Sequence, residues 1–438
     1  MIFKRKIINI LNEWKNRTHK EAILIKGARQ VGKTTVVRAF AKENYANFVE
    51  INFELDPEAR LAFDGKRDTK TIIGKLSLMG YGPFVQGKTL VFFDEIQNCP
   101  NARTAIKFLV EDGFYDYIES GSLLGFNYKE VSSFPVGFER QIEMFPMDFE
   151  EFLWARGVND TVMKSLCLSM AEKKAVDDFV HEQMMKYYRE YLIVGGMPQV
   201  VFTYISNPDF AVTLTQQRKI IQSYRDDIAK YAAEQRTKAK RFFDAIPSEL
   251  SKQKKRFILS SMEKSASMQK YADTATWLED AGVAYFSYNL HALNLPFEQE
   301  ENRSLFKVYL LDTGLLCAMW NDDIQLKVLK GELDINEGAL TENFVAAELR
   351  KHGYHLHYYD RKSRQELDFV LAENNHVTIV EVKSGNDYRR HASVDTVLAE
   401  QHNQIGKVMV FSKFNLLQED NVLYFPLYMA SFLQAGGL

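Results

Sequence analysis

Cysteine is nearly absent: Cys99, Cys167 and Cys317 are the only three in 438 residues, with no CxxC pair and no histidine at zinc spacing. So sparse and odd a count excludes a disulfide framework and predicts a reducing compartment, with each thiol a small apolar filler. No uncharged stretch approaches the roughly 20 apolar residues of a membrane span. The opening MIFKRKIINILNEWKN has early basic residues, but Asn9, Asn12 and Glu13 break its apolar run, which predicts an amphipathic helix and not a signal peptide. A cytoplasmic protein is expected. Neither sign of charge dominates, since 55 Lys+Arg against 58 Asp+Glu leave −3, so only a local patch can point to nucleic acid. Prolines number 10, and no repeat or low-complexity segment interrupts a composition that is 46% hydrophobic and 26% charged. That is an ordinary globular chain, long enough for two or three domains.

Residues 22–150 alternate strand-like and helix-like segments. Ala22 to Ile25, Phe48 to Glu54, Thr89 to Glu95 and Tyr115 to Ser120 are short apolar runs of the kind that form buried parallel strands. The amphipathic stretches between them predict right-handed β-α-β crossovers, hence an α/β fold with a parallel sheet flanked by helices. From about 148 to 280 the pattern turns helical, and residues 218–270 hold 14 Lys/Arg against 6 Asp/Glu. Residues 255–312 then read helix, helix, strand, loop, strand, an order that suits a winged helix. A last α/β segment fills about 338–438. The expected division is 1–150, a phosphate-binding domain; 151–325, a helical and winged-helix-like region; and 326–438, a small α/β domain.

The strongest motif is GARQVGKTT, comprising Gly27, Ala28, Arg29, Gln30, Val31, Gly32, Lys33, Thr34 and Thr35. It matches G-x4-G-K-[ST] between a predicted strand and a predicted helix, the context that makes the match credible. Glycines let backbone N–H groups face a β-phosphate, Lys33 brings a point charge to the β/γ oxygens, and the Thr34 hydroxyl is placed to ligate Mg²⁺. Asp94 ends the apolar strand TLVFFDE and is expected to hold the Mg²⁺ shell, while Glu95 faces elsewhere and can polarise an attacking water. Ser122, in the turn after the next strand, can touch the γ-phosphate or the water. Arg140, placed before a last short strand, is a candidate arginine finger on a neighbouring subunit's ATP.

GARQVGKTT, FFDEIQ, the SGS turn, FPMDFEEFL, GGMPQVV, FKVYLLDTGLL and ELDFVL with VEVKSG follow one another along nearly the whole chain. In this order they resemble the large prokaryotic family of AAA-type ATPases that pair a P-loop domain with an uncharacterised C-terminal region. The resemblance implies an AAA+ core using ATP and Mg²⁺, a helical and winged-helix middle, and a C-terminal fold similar to restriction endonucleases. A Gly-Arg pair usually follows the sensor turn in that family. Here the spacing is Gly137-Phe138-Glu139-Arg140, a departure that bears on the finger assignment.

In the last segment Asp368 lies on one strand and Glu381 and Lys383 on the next, joined by a short turn. Side chains alternate along a strand, so Glu381 and Lys383 share a face that Asp368 can meet. Two carboxylates and an amine so placed can bind Mg²⁺ and orient a water for phosphodiester cleavage, and Glu342 on the preceding helix offers a third acidic ligand. The set resembles the D…ExK core of the restriction-endonuclease-like superfamily. His352, His355 and His357 read as packing residues beside tyrosines. Lys252, Lys254, Lys255 and Arg256 can contact phosphates without reading sequence. The leading expectation is therefore an ATP-driven protein acting on DNA or other nucleic acid. The alternative is a nucleotide-gated switch or scaffold, forming a homo-oligomer or docking a protein partner without cleaving DNA. Neither involves a membrane.

Overall fold

The structure, a computed structural model, describes residues 2–122, 135–230, 233–252, 254–263, 266–320, 324–330, 336–361, 365–401 and 404–435. It divides into two compact units, Met1–Phe145 with Asp280–Gly282, and Pro146–Glu279 with Val283–Leu438. Among the described residues no helix is long and apolar enough to cross a membrane.

The first unit is a five-stranded sheet of β1 (Ala22–Gly27), β2 (Asn47–Asn52), β3 (Thr89–Asp94), β4 (Asp116–Ser122) and β5 (Glu139–Glu143). The strands run parallel in the order β2-β3-β4-β1-β5. Parallel strands are covered on both faces, which is why Thr89–Asp94 is buried at every position. Leu24, Ile51, Phe93 and Tyr117 pack against Ile106 and Leu109 of the helix Pro100–Glu111. Every strand delivers its carboxyl end to one edge, so the helix Lys33–Asn44 starts beside the ends of β3 and β4.

The second unit opens with six helices, Phe149–Ala155, Asp160–Glu172, Asp178–Val194, Pro198–Ser206, Phe210–Lys230 and Ala233–Leu250. Its sheet contains β6 (Ala284–Leu290), β7 (Glu301–Leu310), β8 (His357–Arg361), β9 (Gln365–Glu373), β10 (His376–Lys383), β11 (Ile405–Ser412), β12 (Leu417–Glu419) and β13 (Val422–Pro426). These eight strands form one mixed sheet in the order β12-β13-β11-β10-β9-β8-β6-β7. The helix Asn336–Lys351 precedes β8, and the helix Ala392–Gln401 provides the crossover from β10 to the parallel β11.

Two sequence expectations change here. The first of the two helices expected after residue 255 is only a 3₁₀ turn, Leu259–Ser261. The backbone N–H of Phe257 instead donates to Phe306 of β7, and Glu249 accepts from the Ile258 N–H at 3.0 Å, which keeps this stretch extended. The hairpin β6–β7 does form, yet β6 also pairs in parallel with β8. The strands expected in a separate wing thus share a sheet with the C-terminal strands, and that sheet crosses the boundary expected at 325/326. Leu290 of β6 lies in the same apolar cluster as Leu367, Ile379 and Val408.

The glycine and aspartate motifs of this unit explain one another. The carboxylate of Asp312 caps the helix Thr313–Met319 through the Leu315 N–H at 2.9 Å and also accepts from the Gly196 N–H at 2.6 Å. Gly195 has φ +73°, and a Cβ there would lie 2.1 Å from Asp312. GGMPQVV and LLDTGLL are two halves of one buried contact.

One buried acid in the first unit has a measurable consequence. Glu119, on β4, is wholly enclosed near Glu139, whose carboxylate is held by Arg103 at 3.0 and 3.1 Å. Burial, and then the charge of Glu139, push the Glu119 carboxyl well above the ordinary glutamate range. A raised folded pKa means stability that is present at low pH and is lost as pH rises through it. Glu119→Gln should therefore raise the urea midpoint at pH 8 and leave it little changed at pH 4, read from denaturation curves at the two values.

Candidate functional site

The phosphate loop forms where β1 ends. Gly27 must be glycine, because a Cβ would come within 2.2 Å of the Met144 carbonyl oxygen. Gly32 caps the following helix at φ +97°, a left-handed conformation that side chains disfavour. Gln30 shares that region at φ +65°. Arg5 braces the loop from outside, donating to Val31 O at 3.0 Å and Phe145 O at 2.7 Å. Lys33 is buried, with its Nζ 3.0 Å from the carbonyl oxygens of both Gly27 and Ala28. Burial lowers its pKa to about 8, against the pull of Glu95 and Asp94.

Asp94 is the hub. Its Oδ2 accepts from the Thr34 hydroxyl at 3.1 Å and from the Asn52 amide at 2.9 Å. Its Oδ1 accepts from the Ser120 hydroxyl and from the Glu95 N–H at 3.2 Å. Asp94 is 3% exposed, and burial of a carboxylate requires such donors. Glu95 turns off the strand at φ +54°, and Gln97 donates to its Oε2. A hydroxyl and a carboxylate in contact beneath a loop of N–H groups, with a lysine at its mouth, fit a magnesium-bound nucleoside triphosphate. Thr34 and Asp94 are the residues that would hold the ion, and its bound charge would offset that of the phosphates.

Sequence reasoning thus placed Gly27 to Thr35, Asp94 and Glu95 together, as the structure does. It missed Asn52, Ser120, Gln97 and Arg5. Asn52 stands beside Asp94 in the register of β2 with β3, and Ser120 lies two residues before Ser122, so strand pairing was the signal available. Ser122 ends β4 with its backbone opposite Gly27. Arg140 lies within β5, not before it, and pairs with Ile23. Four residues of strand separate that position from Gly27, roughly 13 Å, beyond reach of the loop in its own chain. A finger role for Arg140 therefore requires a second subunit.

In the second unit Asp368, Glu381 and Lys383 meet as expected. Asp368 Oδ2 accepts from the Val382 N–H at 2.9 Å, Glu381 Oε1 from the Asp368 N–H at 3.3 Å, and Lys383 lies 2.7 Å from Glu381 Oε2. Burial and the neighbouring Asp368 raise the Glu381 carboxyl to about 7. Glu342 does not join them as a free ligand. Tyr309 donates to its Oε1 at 2.6 Å, Lys307 lies 3.2 Å from the same oxygen, and Lys255 binds Oε2. Burial opposes its charge, yet Lys255 and Lys307 hold its pKa at about 2. Both of its oxygens are thus taken by partners within the fold.

Lys255 and Lys252, the latter bound to Glu249, are engaged within the fold, whereas Lys254 and Arg256 are exposed. His357 is buried, with Nε2 3.0 Å from Glu301, in keeping with a packing role. Among the described residues the acids and histidine close enough to share a cation are Asp148, Glu348 and His352. Their oxygens already act in the fold: Asp148 caps the helix Phe149–Ala155, and Glu348 accepts from the Phe149 N–H at 3.2 Å and from Lys351 at 2.9 Å.

A parallel sheet with a G-x4-G-K-T loop and a buried aspartate on the third strand defines a P-loop nucleotide-binding domain. Residues 19–153 match the family model of an AAA domain, so this part of the chain is an AAA-type ATPase-like domain. Residues 185–326 match a "Domain of unknown function (DUF8612)", and residues 337–429 match a "Domain of unknown function (DUF4143)". No curated protein matches the chain. Among solved structures it is similar to a Walker-type ATPase of Pyrococcus abyssi, at 13% identity over 73% of this chain and 96% of that one, with a TM-score of 0.42. Another is the Orc1 protein of Aeropyrum pernix in complex with DNA, at 10% identity over 75% of this chain and 93% of that one, with a TM-score of 0.29. Likenesses this distant do not bear on what the chain acts upon.

Asn52→Ala removes one hydrogen bond to a buried carboxylate, worth about 1.5 kcal/mol. It should weaken ATP binding roughly tenfold in Mg²⁺ and leave binding in EDTA unchanged. Fluorescent-nucleotide titration in the two buffers checks this; equal loss in both would show that Asn52 does not act through Asp94.

Proposed function

We propose that the chain binds Mg-ATP at the Gly27–Thr35 loop and hydrolyses it. What carries this reading is the contact of Thr34 with Asp94 beneath the loop, beside Lys33 and next to a separately oriented Glu95. Lys33 holds the β/γ oxygens, the loop N–H groups receive the β-phosphate, and Glu95 takes the proton of the attacking water. Ser120 and Asn52 fix the Asp94 carboxylate so that it need not reorganise during the reaction.

For the second unit we favour a nucleotide-gated switch over cleavage of nucleic acid. Two of the four lysines and arginines expected on a phosphate backbone, Lys252 and Lys255, are bound to Glu249 and Glu342. The nucleic-acid reading keeps exposed Lys254 and Arg256 in its support.

Phosphate release by wild type, Lys33→Ala and Glu95→Gln tests the first reading, with and without DNA for the second. Lys33→Ala should lose nucleotide affinity by roughly 10- to 100-fold. Glu95→Gln should bind ATP but turn over about 10²- to 10³-fold more slowly. Hydrolysis by Lys33→Ala at the wild-type rate would refute the ATPase reading, and strong stimulation by DNA would favour nucleic-acid action over the switch.

A further inference from the structure

We infer that the ammonium of Lys307 is the resident cation of the acidic cluster in the second unit, standing where the D…ExK pattern suggested a divalent metal. Lys307 comes from β7, within the segment 185–326, and the acids come from the segment 337–429. Its Nζ lies 3.2 Å from Glu342 Oε1, 3.2 Å from Glu366 Oε1 and 3.8 Å from Asp368 Oδ1. The side chain is 1% exposed and its charge faces the Tyr358 ring at 5.1 Å. No route is needed for it to arrive or leave: the strand delivers it.

The fit to a metal fails on three counts. First, the oxygens of Glu342, Asp368 and Glu381 are engaged. Glu342 is bound by Lys307, Tyr309 and Lys255, Asp368 by Lys307 and the Val382 N–H, and Glu381 by Lys383 and the Asp368 N–H. Second, the charges nearly balance. Four carboxylates, Glu342, Glu366, Asp368 and Glu381, face three ammonium groups, Lys255, Lys307 and Lys383, leaving at most one negative charge rather than the excess that a dication needs. Third, Mg²⁺ demands six oxygens at about 2.1 Å, several of them water, and an ammonium among the same carboxylates repels it and excludes that water.

The cluster is accordingly a clasp between two chain segments, and the second unit does not cleave phosphodiester bonds by a metal-dependent route. This is independent of ATP hydrolysis in the first unit. Manganese binding, read by electron paramagnetic resonance without nucleotide, tests it in the full chain carrying Asp94→Asn, which removes ion binding at the phosphate loop. That chain should bind no Mn²⁺ at the cluster, and adding Lys307→Ala, which frees Glu366 and Asp368 Oδ1 and leaves two negative charges uncompensated, should create one site per chain. Mn²⁺ bound before the lysine is removed, and lost in Asp368→Asn, would overturn the inference. So would a folded Lys307→Ala chain that binds none. Should Lys307→Ala not fold, the wild-type protein decides: plasmid DNA with Mg²⁺ or Mn²⁺ should stay intact, and cleavage that Asp368→Asn abolishes would refute the clasp.

Discussion

Enclosing the carboxylate of Asp94 at the end of a strand is the constraint around which the first unit is organised. A buried carboxylate needs hydrogen-bond donors, and here Thr34, Asn52, Ser120 and the Glu95 N–H supply them. Asn52 can reach it because β2 pairs with β3 in register at that residue, and Ser120 because β4 lies on the other side. The helix that brings Thr34 begins at Gly32, where only a glycine adopts the backbone turn without strain. Sheet order, loop conformation and site chemistry are thus solved by one arrangement.

The second unit shows the opposite economy of charge. Its acids are matched by lysines from within, through Lys255, Lys307 and Lys383. Removing one partner of such a buried pair costs about 3–5 kcal/mol, whereas an apolar replacement of the whole set need not. Here the ion pairs of Lys307 join β7 to β9 and to the helix Asn336–Lys351. Gly195, Gly196 and Asp312 make a second such joint, through a backbone N–H donor rather than an ion pair. The set Asp368, Glu381 and Lys383 therefore sits in an interior built to hold position.

What was legible in the sequence was whatever is local. The loop from Gly27 to Thr35, the strand ending at Asp94, and the strand pair carrying Asp368 and Glu381 all follow from spacing along a few neighbouring residues. What was not legible depends on pairing between distant strands. Ser120 and Ser122 have the same periodicity, and only the register of β4 puts Ser120 on Asp94. Arg140 sits at the far end of β5 because that strand is parallel to β1, a fact its own residues do not announce. Lys307 was visible as a lysine among apolar residues in LFKVYLLD, but its partners lie at least 35 positions away. The helix expected after residue 255 was lost to a backbone hydrogen bond with β7, again a tertiary effect.

We propose that the nine-residue loop and the Asp94 carboxylate make one magnesium-nucleotide site. Calorimetric titration of the wild-type chain with Mg-ADP tests it most directly. Heat of binding with one nucleotide per chain is expected, and weaker binding once the magnesium is chelated. An absence of heat, or an affinity indifferent to magnesium, would contradict it.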